Sequence, residues 1–394
     1  MLELPVYLDY SATTPCDKRV IDVMLPYFNR FFGNAASRHH HFGWQAEAAV
    51  EKARRQVGQL INAEPSEIVF TSGATEACNL ALRGIYEMFA PKGNHIITTQ
   101  IEHKAVLDTC KALEKKGANV TYLGVSDKGI INLEELENVI TPQTILIAIM
   151  YANNETGVIM PVKEIGAIAK KHKVLFFTDG TQTVGKIPVD VMKDEVDGMA
   201  FSSHKIYGPK GVGALYFRRK NPRVRLVPQI TGGGQEKELR SGTLNVSGIV
   251  GFGAACNLCE SEMAEESERI KKLRDQIEKQ LLQIPDTQLN GDSDSRLPHL
   301  ANISFKYINS SQLLASLSKT IALSAGSACT LGSNEPSFVL KAMGIANEMA
   351  KAALRFSLGR FTTGEEVGFA ISEVQRVVYE LRSQSFEYQL TNKK

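Results

Sequence analysis

Apolar positions along this chain follow two periods. Ala46, Ala49, Val50, Ala53, Val57, Leu60 and Ile61 recur at three- and four-residue spacing, the stripe of an amphipathic helix. Short apolar runs follow at 68–70, 96–97, 120–123, 145–150 and 174–177. Runs apolar on both faces and separated by helical stretches predict a buried, mostly parallel sheet, hence the α/β class. Near residue 258 the pattern changes. Met263, Ile270, Leu273, Ile277, Leu281 and Ile284 mark a long charged amphipathic helix that Pro285 stops. Strand-like runs at 303–305 and 321–323 flank a helix at 313–317, and a last helix opens on a capping box, Thr363 to Glu366. The pattern predicts a large domain over 14–257 and a smaller α+β domain built from 1–13 and 258–394.

Composition narrows the class. The 394 residues are 43% hydrophobic and 22% charged, which excludes a disordered or fibrous chain. No stretch of eighteen apolar residues predicts a membrane helix. The first residues lack the basic start and apolar run of a signal peptide, so a cytoplasmic protein is expected. With 45 basic and 43 acidic side chains, the net charge of +2 gives no footprint for nucleic acid. The basic cluster from Arg218 to Arg225 reads as a solvated turn. Six cysteines in so long a chain do not make a disulfide framework. Cys256 and Cys259 read as packed helix thiols, because no second pair accompanies them to build a zinc site. No metal is expected, and the adjacent histidines 39–41 lack an acidic or thiol partner.

In open α/β sheets ligands bind beyond the carboxyl ends of the strands. After the run at 68–70 comes Thr71-Ser72-Gly73-Ala74-Thr75-Glu76, a strand-to-helix turn of small residues suited to phosphate. It lacks the lysine of a Walker loop, and a plain helix start uses similar residues. Asn153-Asn154-Glu155 follows the run at 145–150, Asp179 through Gln182 follows 174–177, and Ser202-Ser203-His204-Lys205 follows 198–201. Singly, Asp179 or Lys205 reads equally as a structural ion pair or a solvated strand end. Together, an aspartate and a lysine at neighbouring strand ends suit pyridoxal 5'-phosphate: the lysine for the aldehyde, the acid for the pyridine nitrogen. The phosphate then calls for a helix end and the hydroxyls of Thr75 and Ser202. His103 follows the run at 96–97 and supplies a plane to cover the ring.

The segment 202–211, Ser-Ser-His-Lys-Ile-Tyr-Gly-Pro-Lys-Gly, resembles the cofactor-lysine segment of cysteine desulfurases in the class-V aminotransferase family. Segments 71–76, 153–155, 240–243, 325–330 and 355–360 resemble the same family, in order and spacing, from about residue 6 to residue 382. The resemblance is to the iron–sulfur-cluster and nitrogenase-maturation group. It implies a fold-type I pyridoxal-phosphate transferase that works as a homodimer with sites at the subunit interface. It implies that Lys205 is the Schiff-base lysine, that Asp179 holds the pyridine nitrogen, and that Gln182 contacts the ring hydroxyl. His103 is implied to stack on the ring and move protons. Thr75, Ser202 and His204 hold the phosphate, with Ala74 in the same cofactor-binding set and Thr243 reaching in from the partner. Asn154 lies by the cofactor, and Arg355, assisted by Asn34, clamps the substrate carboxylate. Cys329 is implied to be the nucleophile that takes sulfur as a persulfide; it precedes a polar stretch rich in turn formers, which suits a travelling thiol. The implied reaction converts L-cysteine to L-alanine and passes sulfur to an iron–sulfur scaffold or a thiolation enzyme. Selenocysteine lyase, or another class-V pyridoxal-phosphate enzyme, is the alternative. Ala35 and Gly180 depart from the family pattern, where proline and alanine are common. The tail from Ser383 lacks the Trp-containing extension that many housekeeping members use to dock the scaffold.

Overall fold

The computed structural model describes residues 2–326 and 336–391. In chain order the strands are β1 (Val6–Tyr7), β2 (Ile68–Thr71), β3 (His95–Thr99), β4 (Asn119–Leu123), β5 (Thr144–Ala148), β6 (Leu175–Asp179), β7 (Gly198–Ser202), β8 (Gly213–Phe217), β9 (Thr287–Leu289), β10 (Leu300–Phe305), β11 (Ile321–Ala322) and β12 (Ala353–Ser357). The helices are α1 (Lys18–Met24), α2 (Pro26–Asn29), α3 (His41–Leu60), α4 (Ala74–Phe89), α5 (Lys104–Glu114), α6 (Leu133–Asn138), α7 (Val162–His172), α8 (Val246–Leu281), α9 (Ser310–Leu317), α10 (Phe338–Ala342), α11 (Asn347–Lys351), α12 (Gly364–Gln384) and α13 (Phe386–Thr391).

β2 to β8 form one sheet in the order 2-8-7-6-5-3-4. Every neighbouring pair is parallel except those of β8, which runs antiparallel to β2 and to β7. The sheet is buried on both faces, and alternation along each strand divides its side chains between two cores. Ile97, Ile147, Phe176 and Phe201 pack with Val50, Ile165 and Phe252 from α3, α7 and α8. Ile96, Leu146, Phe177 and Ala200 pack with Leu80 of α4 and Val106 of α5 on the other side. The predicted apolar runs correspond to β2 through β6; β8 lay outside them.

A second, smaller layer follows. β12, β10 and β9 form an antiparallel sheet, and β1 pairs parallel with β11. Val6, Leu8, Phe305 and Phe356 share a core with Ile270 and Ile277 of α8 and with Val374 and Val378 of α12. α12 opens on the predicted capping box: Thr363 Oγ1 accepts from the Glu366 N–H at 3.2 Å, and Glu366 Oε2 accepts from the Thr363 N–H at 2.7 Å. The two helical stretches read on either side of residue 258 are one helix of 36 residues, about 54 Å long at ~1.5 Å per residue. Its early turns bury Cys256 and Cys259 in the large core, as packed thiols. Its later turns enter the small core. The basic cluster at 218–225 is not wholly a solvated turn. Arg218 is buried, paired with Asp197 at 3.1 Å and donating to the carbonyls of Val191 and Val196. A buried acid at the start of β7 draws it in.

This topology sets the carboxyl ends of β3, β5, β6 and β7 in a row. Asn153, wholly buried, ties two of the following turns together. Its amide donates to the Ile101 carbonyl at 3.0 Å, and its Oδ1 accepts from the N–H groups of Glu155 at 2.9 Å and Thr156 at 3.0 Å. Asn153→Ala would leave three backbone groups without these partners. A loss of about 2–4 kcal/mol in unfolding free energy is expected from the usual cost of stranded buried groups; a urea titration measures it, and a loss below about 1 kcal/mol would show that water replaces the side chain.

Candidate active site

A cavity of about 390 Å³ lies over those strand ends. His103, Asn154, Asp179, Gln182, Ser202, His204 and Lys205 line it, with Ala74 and Thr75 at one side and Arg355 at another. Asp179 is the last residue of β6 and is buried; its Oδ1 accepts from the Thr181 N–H at 2.9 Å, which fixes the carboxylate. Lys205 sits in the single turn after β7. Its Nζ donates to the carbonyl of Ser11 and, at 2.7 Å, to that of Ala12. Gln182 donates to the same Ser11 carbonyl at 3.0 Å. An N-terminal segment thus threads under the lysine.

α4 begins at Gly73 without a side-chain cap, so its N-terminal N–H groups and positive dipole end serve the cavity. Glu76, in that first turn, is turned aside: it accepts from the Ser72 N–H and from Arg240 at 2.7 Å. β8 passes close behind, where a Cβ on Gly213 would stand 2.7 Å from the Gly73 Cα. Only glycine leaves the turn its place. His204 accepts or donates at Nδ1 with Thr13 Oγ1 at 3.1 Å, and burial, helped by the charges of Lys205 and Lys210, pulls its pKa down to about 4. It is a neutral imidazole near pH 7. His103 caps α5, accepting the Ala105 N–H at Nδ1 at 3.1 Å. The neutral ring therefore carries its proton on Nε2.

Arg355 comes from β12 of the smaller layer and is almost fully buried. Nη1 donates to the Asn154 carbonyl at 2.9 Å, Nη2 to Asp9 Oδ1 at 2.7 Å, and Nε has no hydrogen-bond partner among the described residues. Two of the expected residues are not in the cavity of the single chain. Asn34 is exposed and accepts the Ala36 N–H, and Thr243 is exposed. Cys329 lies outside the described residues. Three contributors left no mark in the sequence: the carbonyls of Ser11 and Ala12, which any residue supplies, the side chain of Asp9, and Glu102.

The chain belongs to the aminotransferase class-V family, whose model matches residues 6–369. It is 50% identical over 386 residues to the cysteine desulfurase IscS of Pectobacterium carotovorum, covering 98% of this chain and 95% of the relative. Among solved structures it resembles a NifS-like protein with a TM-score of 0.89 and 39% identity, over 95% of this chain and 100% of that one. It also resembles SspA, solved in complex with cysteine, with a TM-score of 0.79 and 36% identity over 91% of this chain and 100% of that one. The cofactor of such proteins, and of this one, is pyridoxal 5'-phosphate. The residues fit it. The cavity joins an uncapped helix start, an acid and a lysine, and the buried hydroxyls of Ser11 and Thr181 there have no partner among the described residues.

Glu102 lies beneath, fully buried, beside His103 in sequence. Its Oε1 accepts from the Met150 N–H and the Thr99 hydroxyl, both at 2.9 Å, while Oε2 has no partner among the described residues. Burial pushes its carboxyl up to about 8, against those two hydrogen bonds and with the Asp179 charge adding to the rise. An unfolded glutamate titrates near ~4.3. Between that value and about 8 the folded chain holds a proton that the unfolded chain has lost. The resulting stabilisation is present in full at low pH and is lost as pH rises through the folded value. Glu102→Gln, which keeps the acceptor, is expected to flatten the fall in stability between about pH 5 and 8; an unchanged slope in urea unfolding would place the charge on Glu102.

Proposed function

We propose that this protein is a cysteine desulfurase that converts L-cysteine to L-alanine and leaves the sulfur on Cys329 as a persulfide. One observation carries the reading: Asp179, Lys205 and Arg355, from two sheets, meet in one cavity at an uncapped helix start. The relatives that share nearly the whole chain bear the same activity in their names.

When bound, pyridoxal phosphate supplies the electron sink for a carbanion at the substrate α-carbon. Asp179 would hold its pyridine nitrogen, Gln182 its ring hydroxyl, and His103 would cover the ring. The N–H groups of Ala74 and Thr75 with Ser202 and His204 would take the phosphate; a neutral His204 donates one N–H without adding a charge. Lys205 would be its covalent anchor and, once displaced by the substrate amine, would carry the α proton on Nζ. The carbonyls of Ser11 and Ala12 hold that nitrogen in place. Arg355, assisted by Asn34, would receive the substrate carboxylate, where a planar two-pronged donor suits the task, and Asn154 would lie by the cofactor. The Cys329 thiolate attacks the substrate sulfur. The S–S bond forms as the carbon–sulfur bond breaks, the carbon side takes a proton, and cysteine plus enzyme thiol becomes alanine plus enzyme persulfide. An acceptor protein of iron–sulfur assembly or thiolation then removes the outer sulfur.

The working unit is a homodimer. Leu25, Phe28, Phe32, Phe42 and Trp44 leave large apolar surfaces in water along the N-terminal helices, a patch that calls for a partner. Asn34 stands in the same stretch, and a second copy would carry Asn34 and Thr243 to the site. The setting is the cytoplasm, where the thiols stay reduced: the cysteines among the described residues are all free. No helix among them is long and apolar enough to cross a membrane.

Brief exposure to L-cysteine, followed by peptide mass spectrometry and an alanine assay in the same sample, tests the reading. One added sulfur on the Cys329 peptide, matched by alanine, is expected. Lys205→Ala is expected to lose both products by at least ~10³-fold, since it removes the covalent anchor and the proton carrier together. Full-rate alanine formation by Cys329→Ala without added thiol would overturn the role of that cysteine.

A further inference from the structure

Arg355 is not a bare cation waiting for substrate. Asp9 holds one edge of its guanidinium at 2.7 Å, and both side chains lie largely out of water, at 2% and 17% exposure. The Asn154 carbonyl takes a second N–H, the buried Nε has no partner among the described residues, and Arg355 lines the cavity. Asp9 is itself held: Ser324 Oγ donates to the same Oδ1 at 3.1 Å, and the Asp9 backbone bridges to Ser357, two residues after Arg355 on β12. The aspartate does not line the cavity and is fixed by its own contacts.

Resting on the reading of Arg355 as the carboxylate clamp, we propose that Asp9 is a positioning residue and counter-charge that weakens this clamp so that the product can leave. L-cysteine and L-alanine carry the same carboxylate. A full positive charge in a nearly water-free wall would retain both equally, and tight retention of the product slows its release. The pair of Asp9 and Arg355 is neutral overall. The guanidinium still meets a carboxylate at the cavity wall, but with the attraction reduced by a fixed negative charge hydrogen-bonded to it. Asp9 therefore acts on the carboxylate end of any ligand and on no other part of it. Ser324 Oγ also lies 3.2 Å from the Gly326 carbonyl, an alternative acceptor for the same hydroxyl proton.

The substitution Asp9→Asn keeps an oxygen for Arg355 and for Ser324 while removing the charge. The readout is the absorbance change of the cofactor-loaded enzyme on titration with L-alanine, and with ethylamine, which is alanine without its carboxylate. Asp9→Asn is expected to bind L-alanine about tenfold more tightly, as loss of a nearby like charge predicts, and ethylamine as the parent protein does. The KM for L-cysteine should fall with no rise in kcat. Arg355→Lys serves as the reference and should weaken alanine alone. If Arg355→Lys leaves alanine binding unchanged, the clamp itself is overturned, and the counter-charge with it. If Arg355→Lys weakens alanine but Asp9→Asn leaves it unchanged or weaker, the counter-charge alone is overturned. Equal shifts for alanine and ethylamine in Asp9→Asn would also overturn it, because a general distortion of the site moves both.

Discussion

The grip of residues 9–14 on both layers is the constraint on which the site depends. The Ser11 carbonyl accepts from Lys205 and from Gln182. Thr14 brackets the lysine turn, its N–H and hydroxyl donating to the His204 carbonyl while its oxygen accepts the Tyr207 N–H at 2.8 Å. The same segment reaches the smaller layer through the Ser11 N–H on Ser357 Oγ at 2.9 Å and through Asp9 on Arg355. Six residues of irregular backbone therefore set the distance between the lysine and the guanidinium. Most of these bonds join a side chain to a backbone group, so the segment fixes position through its own carbonyls and N–H groups together with the side chains of Asp9 and Thr14.

Charge within the cavity is arranged economically. The helix start and neutral N–H donors face where a phosphate would sit, Glu76 is neutralised by Arg240, and His204 stays uncharged. Burial holds the Glu102 carboxyl up to about 8, and the Asp179 charge adds to that rise.

Much of this was legible in the chain. Strand ends follow from the apolar runs, and an acid and a lysine at two such ends were visible before any geometry. The neighbouring positions of β6 and β7 in the sheet then bring them together. Other features left no pattern. The carbonyls of Ser11 and Ala12 carry no side-chain signal, and Asp9 lies about 350 residues before the arginine it holds, so nothing local marks the pair. Glu102 is charged by type and neutral by burial, and only its surroundings reveal the difference. The single long α8 was read as two stretches because its apolar stripe changes face where it leaves one core for the next. Arg218 was misjudged for a related reason: a run of basic residues shows no sign of which one turns inward to a buried acid.

α8 has a mechanical meaning. Its unbroken backbone is shared property of the two hydrophobic cores, and neither half of the chain possesses a complete one without it. Melting either end of the helix would strip a wall from the core it serves and propagate through a continuous hydrogen-bond ladder toward the other. The two layers are consequently joined in their unfolding as in their folding. A cut near residue 258 would yield not two modules but two incomplete halves, and sulfur chemistry that spans both layers is carried by one cooperative body.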